Sequence, residues 1–196
     1  MTAPASSQGR SHFDTETAVP NRPALRHWAV FLGLIAAIIA ADQIVKALIV
    51  ARLAPGQTVV VIEPLADFFR LTYSQNTGAA FGMLPSAGWV FSIIAVGVSL
   101  VMLIAHARMD RAAWGKRLAM AFIIGGALGN VVDRVRFDYV IDFINYRIPG
   151  VISNVSNLAD HAIVAGVIAL LIITWRAEDE PAPEPAPADT PDAAGE

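Results

Sequence analysis

Four apolar runs constrain this chain more than any other feature: residues 28–50, 86–105, 118–132 and 157–175. A helix needs about 20 apolar residues to cross a hydrocarbon core about 30 Å thick, and these runs meet or approach that length. With 55% apolar and only 16% charged residues over 196, the chain is too apolar for one soluble domain. The expected class is an all-α membrane protein of four transmembrane helices with a small extracytoplasmic β element.

Residues 52–85 break the helical pattern. The runs Thr58-Val59-Val60-Val61-Ile62 and Phe68-Phe69-Arg70-Leu71-Thr72-Tyr73, separated by Glu63-Pro64, predict a hairpin-like pair of strands. The small residues around Asn76, from Thr77 and Gly78 to Gly82, permit close backbone approach to another element or a ligand. Residues 133–156 are expected to form an irregular polar segment. Residues 1–26 read as a disordered, uncleaved arm, 27–176 as the folded unit, and 177–196, rich in Ala, Pro and acid, as a disordered tail.

Arg and Lys crowd the N-terminal arm and the loop 106–117, whereas segments 52–85 and 133–156 mix both signs. The positive-inside rule then places both termini in the cytoplasm. Taking about 1.5 Å per residue, Asp42 lies roughly 21 Å along the first helix from Trp28, in the far part of the bilayer. On this topology Asp42, Asn76, Asn130, Asp133, Arg134, Asp142 and Asp160 all fall near the outer face. Ionisable groups in apolar helices are expensive unless they face a protein interior or a wet cavity, so this layer is the candidate site.

There is no cysteine, which excludes disulfides, thiolate metal sites and a cysteine nucleophile. His106 and His161 stand singly near helix ends and are read as interfacial, so neither a metal nor a cofactor is expected. A net charge of −3 gives no reason to expect nucleic acid.

Two carboxylates sharing a site hold one proton between them near neutral pH and act as acid and base together. Four aspartates compete for that role. Asp42 has Lys46 four residues on along the same helical face, and a helix contact suits that pair as well as chemistry does. Asp133 and Arg134 divide between structure and substrate positioning. Asp142 and Asp160 have no such partner in sequence and form the freer pair, although for Asp160, three residues after Asn157, the residues alone favour a helix cap over catalysis. The glycines Gly125, Gly126 and Gly129 suit close helix packing. A second reading is a carrier or lipid-binding protein, which would distribute its charges through the membrane depth instead of gathering them at one face.

The blocks Asp42-Gln43-Ile44-Val45-Lys46, Asn76-Thr77-Gly78-Ala79-Ala80-Phe81, Gly125 to Arg134, Val140-Ile141-Asp142-Phe143 and Asn157-Leu158-Ala159-Asp160 resemble, in order, those of the lipoprotein signal peptidases, or signal peptidase II. The resemblance implies an intramembrane aspartic endopeptidase of the bacterial cytoplasmic membrane, targeted by globomycin, that cuts prolipoproteins just before a diacylglyceryl-modified cysteine near the outer face. It implies Asp142 and Asp160 as catalytic residues and Asn76, Asn130 and Arg134 as substrate-binding ones. Asp42, Lys46, Gly78, Asp133 and Asn157 would support the site. It further implies a strand-rich cradle around residues 55–75, a mobile outer loop between Asp142 and Asp160, diacylglyceryl-prolipoprotein and membrane lipid as partners, and a monomer. Two residues depart from the family pattern: Ser156 where Phe is usual, and His161 where a small residue is usual.

Overall fold

The computed structural model describes residues 22–78, 88–148 and 150–178. Most of the N-terminal arm, the tail beyond residue 178, the small residues 79–82 and the start of the second apolar run lie outside them. Four helices form in order: α1 (Leu25–Arg52), α2 (Gly88–Arg108), α3 (Trp114–Phe137) and α4 (Leu158–Glu178). All four are long and apolar enough to cross a membrane. Side chains such as Ile93, Val101, Leu171 and Trp175 remain exposed, as expected of surfaces that face lipid.

Helix α3 is the centre, packing against each of the other three. Its glycines let α1 and α4 come close. A Cβ on Gly125 would meet the Ile38 side chain, and one on Gly126 would run into the Ala159 carbonyl. From the other side, Gly166 of α4 brings its backbone so near that a Cβ would stand 2.6 Å from the Ala119 carbonyl. Close backbone approach is how helices associate where no hydrophobic drive separates lipid from protein.

Helix α3 runs past its expected end and carries Asn130, Asp133 and Arg134 on its last turns. It stops at Asp138, whose left-handed backbone (φ 64°) Asp tolerates better than most residues. The chain then enters a strand, which corrects the expectation of an irregular segment. Strands β1 (Thr58–Val59), β2 (Phe69–Asn76), β3 (Val140–Ile148) and β4 (Ile152–Ser156) form one antiparallel sheet in that order. The predicted hairpin exists as β1 and β2, although residues 63–65 are a 3-10 turn and β1 is only two residues long. The span expected to hold a mobile loop is largely the β3–β4 hairpin. Between Leu71 and Ser74 the β2–β3 register shifts by one residue, a bulge just before Ser74 pairs with Asp142. Such a bulge bends the strand and re-aims the residues after it, here Ser74 to Asn76.

The sheet joins the bundle where α1 and α3 end and α4 begins. At the opposite end a second buried polar group corrects the expectation that such side chains gather at one end only. His106, expected to be interfacial, is fully buried and stacked on Phe31 with ring centroids 3.9 Å apart. Buried Arg117 donates to the carbonyls of Met109 (3.1 Å) and Asp110 (2.6 Å), binding the α2 C-terminus to α3. An apolar layer of Phe31, Ile35, Met120, Ala121 and Ile124 lies between the two ends.

Candidate active site

The buried triad of Asp42, Lys46 and Asp133 lies under the site. The Lys46 ammonium is 2.7 Å from a carboxylate oxygen of each aspartate, and all three side chains are buried to 1% exposure or less. Each acid is also satisfied by backbone: Asp42 accepts from the Ala159 N–H (3.0 Å) and Asp133 from the Ile141 N–H (3.0 Å). Buried charges are tolerated only when paired and hydrogen-bonded in this way. The triad thereby ties α1 and α3 to the start of α4 and to β3, the two elements that carry Asp160 and Asp142.

Lys46 also sets the next layer. Its Nζ donates to Asn130 Oδ1 at 3.1 Å, and so does Asn157 Nδ2 at 3.0 Å. With its oxygen occupied by two donors, Asn130 must turn its amide nitrogen to Asp160, where Nδ2 donates to Oδ1 at 2.7 Å. Asn157 is fixed by the same logic. Its Oδ1 accepts from the Asp160 N–H (2.9 Å), so its Nδ2 also reaches Asp142 Oδ1 at 2.7 Å. Asn76 accepts from the Gly78 N–H (3.0 Å) and gives its own Nδ2 to Asp142 Oδ2 (2.9 Å). Three asparagines thus aim donors at two carboxylates.

The cap geometry of Asp160 does not remove it from the cavity. Asp160 Oδ2 accepts weakly from the Asn157 N–H (3.3 Å) and, with the return bond from its own N–H, closes a capping box at α4. Its Oδ1 is bound to Asn130, and Asp160 also lines a cavity of about 530 Å³ shared with Asp142, Asn130 and Arg134. Phe91 of α2 and Val164 of α4 supply apolar walls. A second cavity of about 380 Å³ meets the first at Asp142 and is lined by Ser74, Gln75, Thr77, Ser153 and Asn154. Asp142 therefore stands where an apolar cleft becomes a polar trough.

Burial pushes the Asp142 carboxyl up to about 7. The Asn76 amide opposes that rise by favouring the anion, the charge of Asp160 adds to it, and the Asn157 amide again opposes it. A carboxyl that titrates near neutrality beside a second carboxylate has the electrostatics of an acid–base pair.

Of the residues singled out in sequence, Asp42, Lys46, Asn76, Asn130, Asp133, Asp142, Asn157 and Asp160 join one hydrogen-bonded network. Gly78 enters through its backbone, donating to Asn76 and accepting from Arg134 Nη2 at 3.3 Å. Arg134 keeps a buried Nε with no partner among the described residues. Sequence reasoning missed Gln43, whose Nε2 donates to Asp133 Oδ1 at 2.7 Å and whose Oε1 accepts from Arg136 at 3.2 Å. The available signal was its position three residues before Lys46, on the same face of α1. It also missed Tyr146, which lines the cleft. His161, read as interfacial, lies in the cleft wall as well.

A family model described as signal peptidase (SPase) II matches residues 34–176. The chain is 40% identical over 141 residues to a lipoprotein signal peptidase of Halothermothrix orenii, covering 72% of this chain and 92% of that protein. It is 43% identical over 146 residues to a lipoprotein signal peptidase of Moorella thermoacetica, covering 74% and 91% respectively. Among solved structures, a bacterial membrane enzyme determined by the in meso method at 2.3 Å superposes with a TM-score of 0.71 at 25% identity, covering 82% of this chain and 94% of the other.

Proposed function

The chain belongs to the signal peptidase II family of peptidases, which remove signal peptides from prolipoproteins, and from that premise we propose that it is an aspartic endopeptidase with Asp142 and Asp160 as its catalytic pair. The observation that carries the assignment is the reach of Asn157, whose side chain donates to Asp142 and whose backbone N–H points to Asp160 within one cavity. The pair shares one proton. Its ionised member takes a proton from a water as the water oxygen attacks the scissile carbonyl, and its protonated member donates to the oxygen that becomes negative. Collapse of the tetrahedral species then passes a proton to the leaving amine.

The two halves of the cleft give the substrate a direction. The apolar half, between Phe91 and Val164, suits a signal helix arriving through the bilayer, and the polar trough suits the mature chain beyond the cut. Under this proposal the cut falls just before a diacylglyceryl-modified cysteine, and the arrangement suits such a substrate, with the cysteine at the junction and its lipid toward the membrane. In this reading Asn76, Asn130 and Arg134 bind substrate. Residues 27–176 form a monomeric peptidase unit of the bacterial cytoplasmic membrane, with both termini in the cytoplasm and the sheet outside.

A carrier would need a polar route through the bundle. The apolar layer around Ile35, Ala121 and Ile124 interrupts any such route, so the peptidase reading is favoured. Purified Asp142→Asn and Asp160→Asn variants are expected to fold and to lose cleavage of a diacylglyceryl-modified prolipoprotein. Full activity in either would overturn the pairing.

A further inference from the structure

His161 and Tyr146 form a hydrogen-bonded pair in the wall of the cleft, joining the α4 turn that carries Asp160 to the strand that carries Asp142. The chemistry of the pair is directional. His161 Nδ1 lies 2.6 Å from the Asn157 carbonyl oxygen, which can only accept, so Nδ1 carries a proton. In the neutral ring Nε2 is then an acceptor, and the Tyr146 hydroxyl 3.2 Å away must donate to it. That leaves the phenol oxygen with lone pairs and no proton to offer. Tyr146 is 44% exposed and lines the same cavity as Asp142 and Asp160, within reach of a bound chain.

We propose that Tyr146 is a substrate-binding residue that accepts a backbone N–H of the peptide near the scissile bond, and that His161 is the positioning residue that turns its hydroxyl into an acceptor. The inference rests on the peptidase reading and deepens it. The donors run in one direction, from substrate N–H to Tyr146, from Tyr146 to His161 and from His161 to the Asn157 carbonyl. Each bond polarises the next. The same Asn157 holds Asp142 through its side chain, so the peptide-binding wall and the carboxyl pair share one anchor.

The test is a cycle between enzyme and substrate. The full chain cleaves a diacylglyceryl-modified prolipopeptide and a set of analogues in which each amide within four residues of the cut is replaced in turn by an ester, which lacks the N–H. Tyr146→Phe, which keeps the ring packed near Phe69, is expected to raise KM by about tenfold at little change in kcat, the loss typical of one uniformly bound hydrogen bond. At one position the ester should weaken wild-type cleavage by a similar factor while leaving Tyr146→Phe no worse. His161→Ala should reduce that coupling. His161→Gln, with an acceptor at similar reach, should restore it. Additive losses at every ester position, or wild-type KM in Tyr146→Phe, would overturn the proposal. Failure of the wild type to cleave the parent peptide would instead overturn the peptidase reading, and this inference with it.

Discussion

The Lys46 ammonium donates to the side-chain oxygen of Asn130 across 3.1 Å, and that bond, together with the one from Asn157, decides which end of Asn130 faces Asp160. The same ammonium is ion-paired with both Asp42 and Asp133. Lys46→Met should therefore do two things. It leaves two buried carboxylates without a counter-charge, a loss of about 3–5 kcal/mol by comparison with other broken buried pairs. It also removes one of the two donors that hold the Asn130 oxygen, leaving Asn157 alone to orient the amide toward Asp160. Thermal unfolding in detergent should show a large drop in midpoint, and activity should fall even where the protein remains folded. An unchanged midpoint would show that the triad does not hold the bundle together.

The Asp142 carboxyl gives a pH dependence with a definite sign. Because burial pushes it up to about 7, it is protonated below that pH and ionised above it. A pair that works with one proton loses it on the alkaline side, so kcat/KM should decline as pH rises through about 7. The apparent value belongs to the pair. Asn76 donates to Asp142 and favours its anion, so Asn76→Ala should move the alkaline limb to higher pH. Stability obeys the same linkage. A carboxyl raised in the folded state stabilises fully below its unfolded value near 4, and this contribution is lost as pH rises through about 7. Asp142→Asn should flatten that slope. A limb that moves to lower pH in Asn76→Ala would contradict the hydrogen-bond assignment.

The polar layer was legible in sequence because charged residues in apolar helices have few places to go. Asp42, Lys46, Asn130 and Asp133 could be gathered to one end of the bundle by counting turns. The β3–β4 hairpin was not legible, because Val140 to Ile148 becomes a strand by pairing with β2, more than 60 residues earlier. Its own pattern mixes apolar and charged residues without clean alternation. The cap at Asn157 and the role of Asp160 looked like alternatives only because a sequence does not say that one carboxylate oxygen can cap while the other faces a cleft. Gln43 received no role for a related reason: its place on the Lys46 face of α1 hints at the polar layer, but its partners, Asp133 and Arg136, lie on α3.

Gly126 offers a test of spacing separate from chemistry. A methyl group there would press on the Ala159 carbonyl, which is backbone and cannot swing aside. Gly126→Ala should push α4 away from α3, destabilise by about 1–3 kcal/mol and displace Asp160, whose neighbour in the chain is the residue struck. Displacements of about 1 Å can cost on the order of a hundredfold in rate. Gly97→Ala in α2 meets nothing within 4 Å and is the control, expected to leave both midpoint and rate unchanged. Equal behaviour of the two variants would show that the α3–α4 contact has room to spare.

Asn157 allows its cap to be separated from its role in the site. Serine at this position keeps a side-chain oxygen for the Asp160 N–H and remains a good N-cap, so α4 should still start at the same place. What Asn157→Ser loses is the amide nitrogen, and with it the donors to Asp142 at 2.7 Å and to Asn130 at 3.0 Å. Asp142 then has one donor fewer for its anion, so the alkaline limb should move to higher pH, in the same direction as in Asn76→Ala. Asn130, still held by Lys46, should keep its orientation. Helix content should therefore stay near wild type while kcat/KM falls by about tenfold or more, the cost expected when a charge-assisted hydrogen bond is lost. Asn157→Ala removes both the cap and the donor, so it should lose stability as well as rate. If Asn157→Ser retained wild-type activity and an unshifted profile, the residue would be a helix cap alone, and the geometry joining Asp142 to Asp160 would have to rest on the buried triad that ties β3 and α4 together.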